Sequence, residues 1–156
     1  MEFVIPQSLR TEHEELHAEL KKATKEVGQV GEAARSVVAV LHPHFLKEEE
    51  YALPPLGLLP SLAEGRVSTD MGIVLEMTTR LKNDLGQMLE EHRAIVAQLD
   101  GLIDAAKERR KYTYVRFAEK LVLHAQMEEE VLYPAAILIG EYLRLRKDGE
   151  ASSPAS

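Results

Sequence analysis

Apolar residues recur at three- and four-residue intervals through most of this chain. Nowhere do they alternate with polar ones over the length of a strand. The pattern predicts helices throughout. Pro6-Gln7-Ser8 can open the first, with proline preset for a first turn. Leu9, His13, Leu16, Leu20 and Val27 form its apolar stripe, and Glu12, Glu15, Glu19, Lys22 and Glu26 decorate the other side. The glycines at 28 and 31 mark its end. A second stripe follows through Val37, Val38, Leu41, His44, Glu48 and Tyr51, with Pro43 expected to kink or loosen the helix.

Pro54, Pro55 and Pro60 then break regularity, so residues 53–66 read as a compact apolar loop with room for one helical turn. Ser68-Thr69-Asp70 offers caps for a third, longer helix reaching about residue 109. Its stripe includes Leu75, Leu81, Leu85, Met88, His92, Ile95, Leu99 and Ile103, with a bend expected near residues 83–86. A turn at 111–113 follows, with Thr113 as a candidate cap. The fourth helix carries Val115, Phe117, Leu121, His124, Glu128, Val131, Leu132 and Ala135, and runs past Pro134 to about Lys147. The expected layout is one domain over 1–147 and a disordered tail over 148–156.

One segment occurs twice. His44-Phe45-Leu46-Lys47-Glu48-Glu49-Glu50-Tyr51-Ala52-Leu53-Pro54 and His124-Ala125-Gln126-Met127-Glu128-Glu129-Glu130-Val131-Leu132-Tyr133-Pro134 share the pattern H-x-x-x-E-E-E-x-x-x-P. The repeat extends backwards, because residues 9–20 around His13 align with residues 88–99 around His92. The chain therefore reads as a duplicated helical hairpin. His13 and His44 are 31 residues apart, and His92 and His124 are 32 apart. Residues equidistant from a hairpin bend sit at one height. The expected fold is an all-α, antiparallel, up-down-up-down four-helix bundle with four histidines at one level.

Composition and charge narrow the chemistry. A net charge of −7 argues against a phosphate-tracking surface, so no nucleic-acid partner is expected. The basic runs at 107–111 and 144–147 suit helix C-terminal ends. With no cysteine there is no disulfide and no thiolate ligand. No membrane span or signal peptide is expected, and the default location is the cytoplasm.

A carboxylate four residues after a histidine lies one helical turn on, about 6 Å along the axis, and faces the same way. Four such histidines at one level, two followed by Glu48 and Glu128, are costly as plain core, because unpartnered buried polar groups destabilise. A metal centre compensates. Imidazoles and carboxylates without thiols suit iron, manganese or zinc, and two carboxylates can bridge two cations. The first glutamate of each triplet faces the histidine. Glu49 and Glu129 are the nearest rivals, while Glu50 and Glu130 are expected to face water.

This arrangement resembles the hemerythrin-like family of His–His–Glu cation-binding domains, over about residues 6–145. The resemblance implies a non-haem centre of two iron ions, bridged by carboxylates, that binds O2, NO or peroxide at an open position. It implies His13, His44, His92 and His124 as terminal ligands and Glu48 and Glu128 as bridges. The oxygen carriers of that family have a histidine pair on the third helix, where this chain has Val96. The pair here is His13 and His17, which makes His17 a candidate fifth ligand, with an outward position as its alternative. Those carriers also take a carboxylate five residues after the last histidine, which keeps Glu129 as the fallback for Glu128. His42 is expected to face solvent. Tyr51, Val131 and Leu132 are candidates for lining the ligand pocket, and a core tyrosine is the alternative for Tyr51.

The functional expectation is a protein that binds, senses or detoxifies a small oxidant. An iron sensor or store without redox turnover is its alternative. His13-Glu14-Glu15-Leu16-His17 also fits the zinc-hydrolase pattern H-E-x-x-H, with Glu14 as base. The repeat partner around His92 lacks counterparts of Glu14 and His17, which sets that alternative well behind.

Overall fold

The computed structural model describes residues 4–68 and 71–152. Its main helices are α1 (Gln7–Thr24), α2 (Gln29–Lys47), α4 (Gly72–Glu108), α5 (Tyr112–Met127) and α6 (Tyr133–Ser152). A π-helical turn, Glu48–Ala52, continues α2, and a second, Glu128–Leu132, joins α5 to α6. Between α2 and α4 lie a 3-10 turn, Pro54–Leu58, and the short α3, Leu59–Ala63. No strand occurs among the described residues, and none of their helices is long and apolar enough to cross a membrane.

Contacts between helices fix their directions. Glu12 meets His124, and Glu26 meets Lys111, so α1 and α5 run antiparallel. His44 meets Glu91 while Arg80 meets Glu50, so α2 and α4 oppose each other. His92 meets Glu129 and Lys82 meets Glu141, so α4 opposes the fourth helical segment. The result is a helical bundle. Its two bends, after α1 and after α4, lie together at one end, where Glu26 accepts hydrogen bonds from Lys111 and from Tyr114 at 2.8 Å.

The local signals act with some shifts. Pro6 caps α1, and its carbonyl accepts from the Leu9 and Arg10 amides. α1 stops at Thr24, so Val27 falls outside the stripe and is 97% exposed. Gly28, at φ +86°, turns the chain into α2. α2 continues through Pro43, and α4 is a single helix through residues 83–86. Neither Pro43 nor residues 83–86 interrupt their helices. Thr113 is not a cap: α5 begins at Tyr112 behind Lys111 without a side-chain cap. α4 likewise starts after Met71 without one, and Thr69 and Asp70 lie outside the described residues. α6 is helical to Ser152, beyond the expected end near 147, and residues 153–156 are outside the described set.

Pro54 and Pro134 stand at the same place in the repeat with opposite outcomes. After Leu53 the run Pro54-Pro55 removes two successive amide donors, and the chain leaves the helix. Pro134 stands alone in the first turn of α6, where a missing donor is tolerated, and the helix goes on. The buried apolar residues form two clusters. One contains Leu16, Leu20, Val37, Leu41, Phe45, Ile95, Leu99, Phe117 and Leu121. The other contains Leu9, Tyr51, Leu53, Leu56, Leu81, Met88, Tyr133, Ile139 and Leu143. Residues 13, 44, 48, 92, 124 and 128 fall along their helices between the two clusters.

Candidate metal centre

His13, His44, Glu48, His92, His124 and Glu128 are all buried, none more than 4% exposed. Their ligand atoms form two groups. His13 and His124 join Glu48 and Glu128 in one, and His44 and His92 join the same two glutamates in the other. Each group thus takes one histidine from each half of the chain, and both share the carboxylates. The hairpin partners His13 and His44 belong to different groups.

The carboxylate oxygens divide between the groups. Glu48 Oε1 is 2.6 Å from His44 Nε2 and 3.8 Å from His92 Nε2, while its Oε2 is 3.4 Å from His13 Nε2. Glu128 Oε1 is 3.4 Å from His92 Nε2, and its Oε2 lies 3.4 Å from His124 Nε2 and 3.9 Å from His13 Nε2. The two Oε2 atoms have no hydrogen-bond partner although buried. Leaving such oxygens bare is expensive. Both point towards the His13/His124 pair, whose Nε2 atoms are 3.1 Å apart. Two orphaned oxygens converging with two imidazole nitrogens fit a cation.

Three of the four rings are held from behind. His44 Nδ1 is 2.9 Å from Glu91, His92 Nδ1 is 2.9 Å from Glu129, and His124 Nδ1 is 2.6 Å from Glu12. A carboxylate on the outer nitrogen orients the ring and strengthens its inner nitrogen as a donor to metal. Lys47 in turn holds Glu91 at 2.6 Å. No carboxylate holds the outer nitrogen of His13 among the described residues. Its ring stacks on Phe45 at 4.6 Å and borders a cleft of about 440 Å³ with Ile5, Arg10, Glu14, His17 and Glu49.

The charge pattern shows how strongly these groups interact. Burial opposes a charge on His92, but its hydrogen bonds to the Glu128 and Glu48 carboxylates outweigh it and raise the pKa to about 10. His124 behaves alike: burial lowers it, and Glu128 and Glu12 lift it to about 9. In His13 burial prevails over the attraction of Glu48, and its pKa falls. Burial and the charge of Glu48 raise Glu128, whereas Glu48 is held well below the usual range because His44 and His92 overcome its burial. Without a cation, protons neutralise this cluster, and a cation would take their place.

The glutamate next in each triplet stays outside. Glu129 is half-exposed and serves His92 from behind, and Glu49, Glu50 and Glu130 are exposed. His42 is exposed as expected. His17 is also exposed: its ring rests on Phe45 at 4.6 Å and contributes to neither ligand group. Because Glu14 is exposed too and His17 stands apart from His13's group, the structure does not assemble the H-E-x-x-H zinc site.

The expected pocket residues also lie elsewhere. Tyr51 is buried, but its hydroxyl donates to Asp84 at 2.9 Å, beneath the Arg80 guanidinium. Val131 is 55% exposed, and Leu132 packs on the second apolar cluster. In their stead Tyr133 reaches the centre. Its hydroxyl donates to Glu48 Oε1 at 2.8 Å and lies 3.1 Å from His92 Nε2 and 3.2 Å from His44 Nε2.

The π turn explains the difference. In a regular α-helix, residues seven apart share a face, which selects Val131 after His124. At Glu128–Leu132 hydrogen bonds span five residues, adding a residue to the turn and rotating everything beyond it. The first copy has the same turn, closed by the Leu53 amide on the Glu48 carbonyl at 2.9 Å. There the position matching Tyr133 is Leu53. The only sequence signal for Tyr133 was its place immediately before the repeated proline.

No curated protein and no solved structure matches the chain. A family model does, over its second half, including His92, His124, Glu128 and Tyr133; His13, His44 and Glu48 lie outside that stretch. The resemblance read from the sequence over about 6–145 is thereby borne out over residues 83–151, which match the hemerythrin HHE cation binding domain.

Proposed function

We propose that the protein is a hemerythrin-like binder of two metal ions, most simply two irons, that binds, senses or detoxifies O2, NO or peroxide. The observation that carries this reading is the division of the carboxylate oxygens. Glu48 and Glu128 each offer Oε1 to the His44/His92 group and Oε2 to the His13/His124 group. Such a set would hold two ions bridged by two carboxylates, with His13 and His124 on one and His44 and His92 on the other. Imidazole and carboxylate donors accept iron, manganese or zinc, and the family match supports iron. When bound, two irons supply reversible one-electron chemistry and sites for a small ligand.

The chain's own residues perform the remaining tasks. Glu12, Glu91 and Glu129 orient the rings. Phe45 stacks on His13 and screens that ring, while the cleft beside it gives a small molecule an approach. Tyr133 offers a hydrogen bond inside the buried centre.

Metal analysis of protein purified from its native host tests the reading, followed by optical spectra with O2, NO and peroxide. Two irons per chain and a spectral response to one of these ligands are expected. One zinc per chain, or no bound metal, would overturn it. Iron binding without such a response would select the second reading, an iron sensor or store. The dense burial of the ligands favours that reading, because it makes the stability of the bundle depend on the ions.

A further inference from the structure

Tyr133 makes the two halves of this centre unlike. The rest of the site follows the internal repeat: each half supplies one histidine from its first helix and an H-x-x-x-E pair from its second. At the position after the π turn the repeat fails, because the first half has Leu53 where the second has Tyr133. Both side chains are fully buried.

The Tyr133 oxygen is 2.8 to 3.2 Å from Glu48 Oε1, His92 Nε2 and His44 Nε2. These are three of the atoms that form the His44/His92 group. Donors on one ion at bond lengths of about 2.1 Å, set at right angles, are roughly 3 Å apart. The hydroxyl thus stands from each of the three at the spacing of neighbouring ligands of a single cation. Among the described residues no tyrosine contacts His13 or His124, and the two oxygens facing that pair are without partners.

We propose that Tyr133 is itself a metal ligand, the fifth protein donor to the cation held by His44, His92, Glu48 and Glu128. The inference rests on the two-metal reading above. As a ferric ion is taken up, or a ferrous one is oxidised in place by O2, the phenol O–H bond breaks, its proton passes to solvent, and the phenolate oxygen takes the coordination position; the phenol itself gives up no electron. A hard trivalent ion such as ferric iron suits a phenolate, as in haem sites with an axial tyrosine. The ion at His13 and His124 then has four protein donors and keeps its open position, on the side where His13 borders the cleft with Arg10, Glu14 and Glu49. With one protein donor fewer, and with His13 beside the cleft, that ion is the better placed to take a small ligand.

The test loads the whole chain with ferrous iron in air and measures bound iron together with the visible and resonance Raman spectra. A phenolate-to-iron charge-transfer band with tyrosine ring modes is expected. Tyr133→Phe should lose both while keeping its helical circular dichroism and two irons per chain, and Tyr51→Phe should retain both. Loading should also release one proton fewer in Tyr133→Phe than in the unaltered chain. Two bound irons with no such band in the unaltered protein would overturn the ligand role of Tyr133 and leave the two-metal reading standing. A band that survives Tyr133→Phe would do the same. Failure to bind metal would sink both. Should Tyr133→Phe fail to fold, the Raman spectra of the unaltered protein and of Tyr51→Phe still decide: a tyrosinate band present in both supports the proposal, and its absence from the unaltered protein overturns it.

Discussion

Glu48 and Glu128 each contribute an oxygen to both ligand groups, whereas each histidine serves one. Truncation should therefore act unequally. Glu48→Ala is expected to abolish binding of both ions, and His13→Ala to remove chiefly one, read as metal per chain after desalting. Equal loss in both variants would count against shared carboxylates. Glu91→Ala leaves every inner atom in place but frees the outer face of His44; it should weaken metal binding about 10- to 100-fold, measured by competition with a chelator. The histidines also set a pH dependence of the metal-free protein. His92 and His124 are raised from 6.5 to about 10 and about 9 in the folded state. Their contribution to stability is complete below an unfolded pKa of about 6.5 and is lost as pH climbs through about 9 to 10. Thermal melts of chelated protein should fall steadily from about pH 7 to about pH 10, and a flat or rising profile would contradict this. At this scale the six central residues were legible, because spacing puts a histidine and a glutamate on one helix face. His17 satisfied the same spacing from His13 and yet stops at Phe45, a contact from another helix that local spacing cannot reveal.

Among the helices, one tight constraint links α4 and α6. A Cβ on Gly140 would lie 2.1 Å from Thr78 Oγ1 and 2.6 Å from its Cβ. Intrinsic propensity favours alanine over glycine in a helix by about 1 kcal/mol. Overpacking acts the other way and prevails because the added Cβ would overlap the short β-branched Thr78 side chain. Gly140→Ala should thus destabilise by about 1 to 3 kcal/mol, visible as a lower urea midpoint at unchanged slope. A stabilised variant would show that α6 can shift away from α4. The elements themselves followed from stripes and breakers: α1 ends before Gly28, and the Pro54-Pro55 pair ends the second helical segment. The π turns did not follow. They change hydrogen-bond span without a residue signature, and they move Val131 out and Tyr133 in. Sequence spacing counted in α-helical turns therefore chose the wrong neighbours for the centre.

For the molecule as a whole, the candidate centre lies between two apolar clusters and draws its histidines and glutamates from four helical segments. Anything that binds there binds the folded state alone. Ligand at about a thousandfold excess over its dissociation constant adds about 4 kcal/mol, or roughly 8 to 16 °C in a chain of this size. Chelation should lower the melting temperature by that order, with recovery on adding iron; an unchanged melt after verified metal removal would refute metal-linked stability. The sequence by itself determined the helical class, the duplicated hairpin pattern and the six residues that meet at the centre, because these depend on periodicity and on spacing within single helices. Which histidines act together was decided only by tertiary structure. His13 meets His124 and His44 meets His92 because packing between the two halves, not the bend within either, brings their inner nitrogens together. The same holds for Tyr133. Its place depends on an extra residue in a turn and on histidines from α2 and α4, and neither is written in the residues around it.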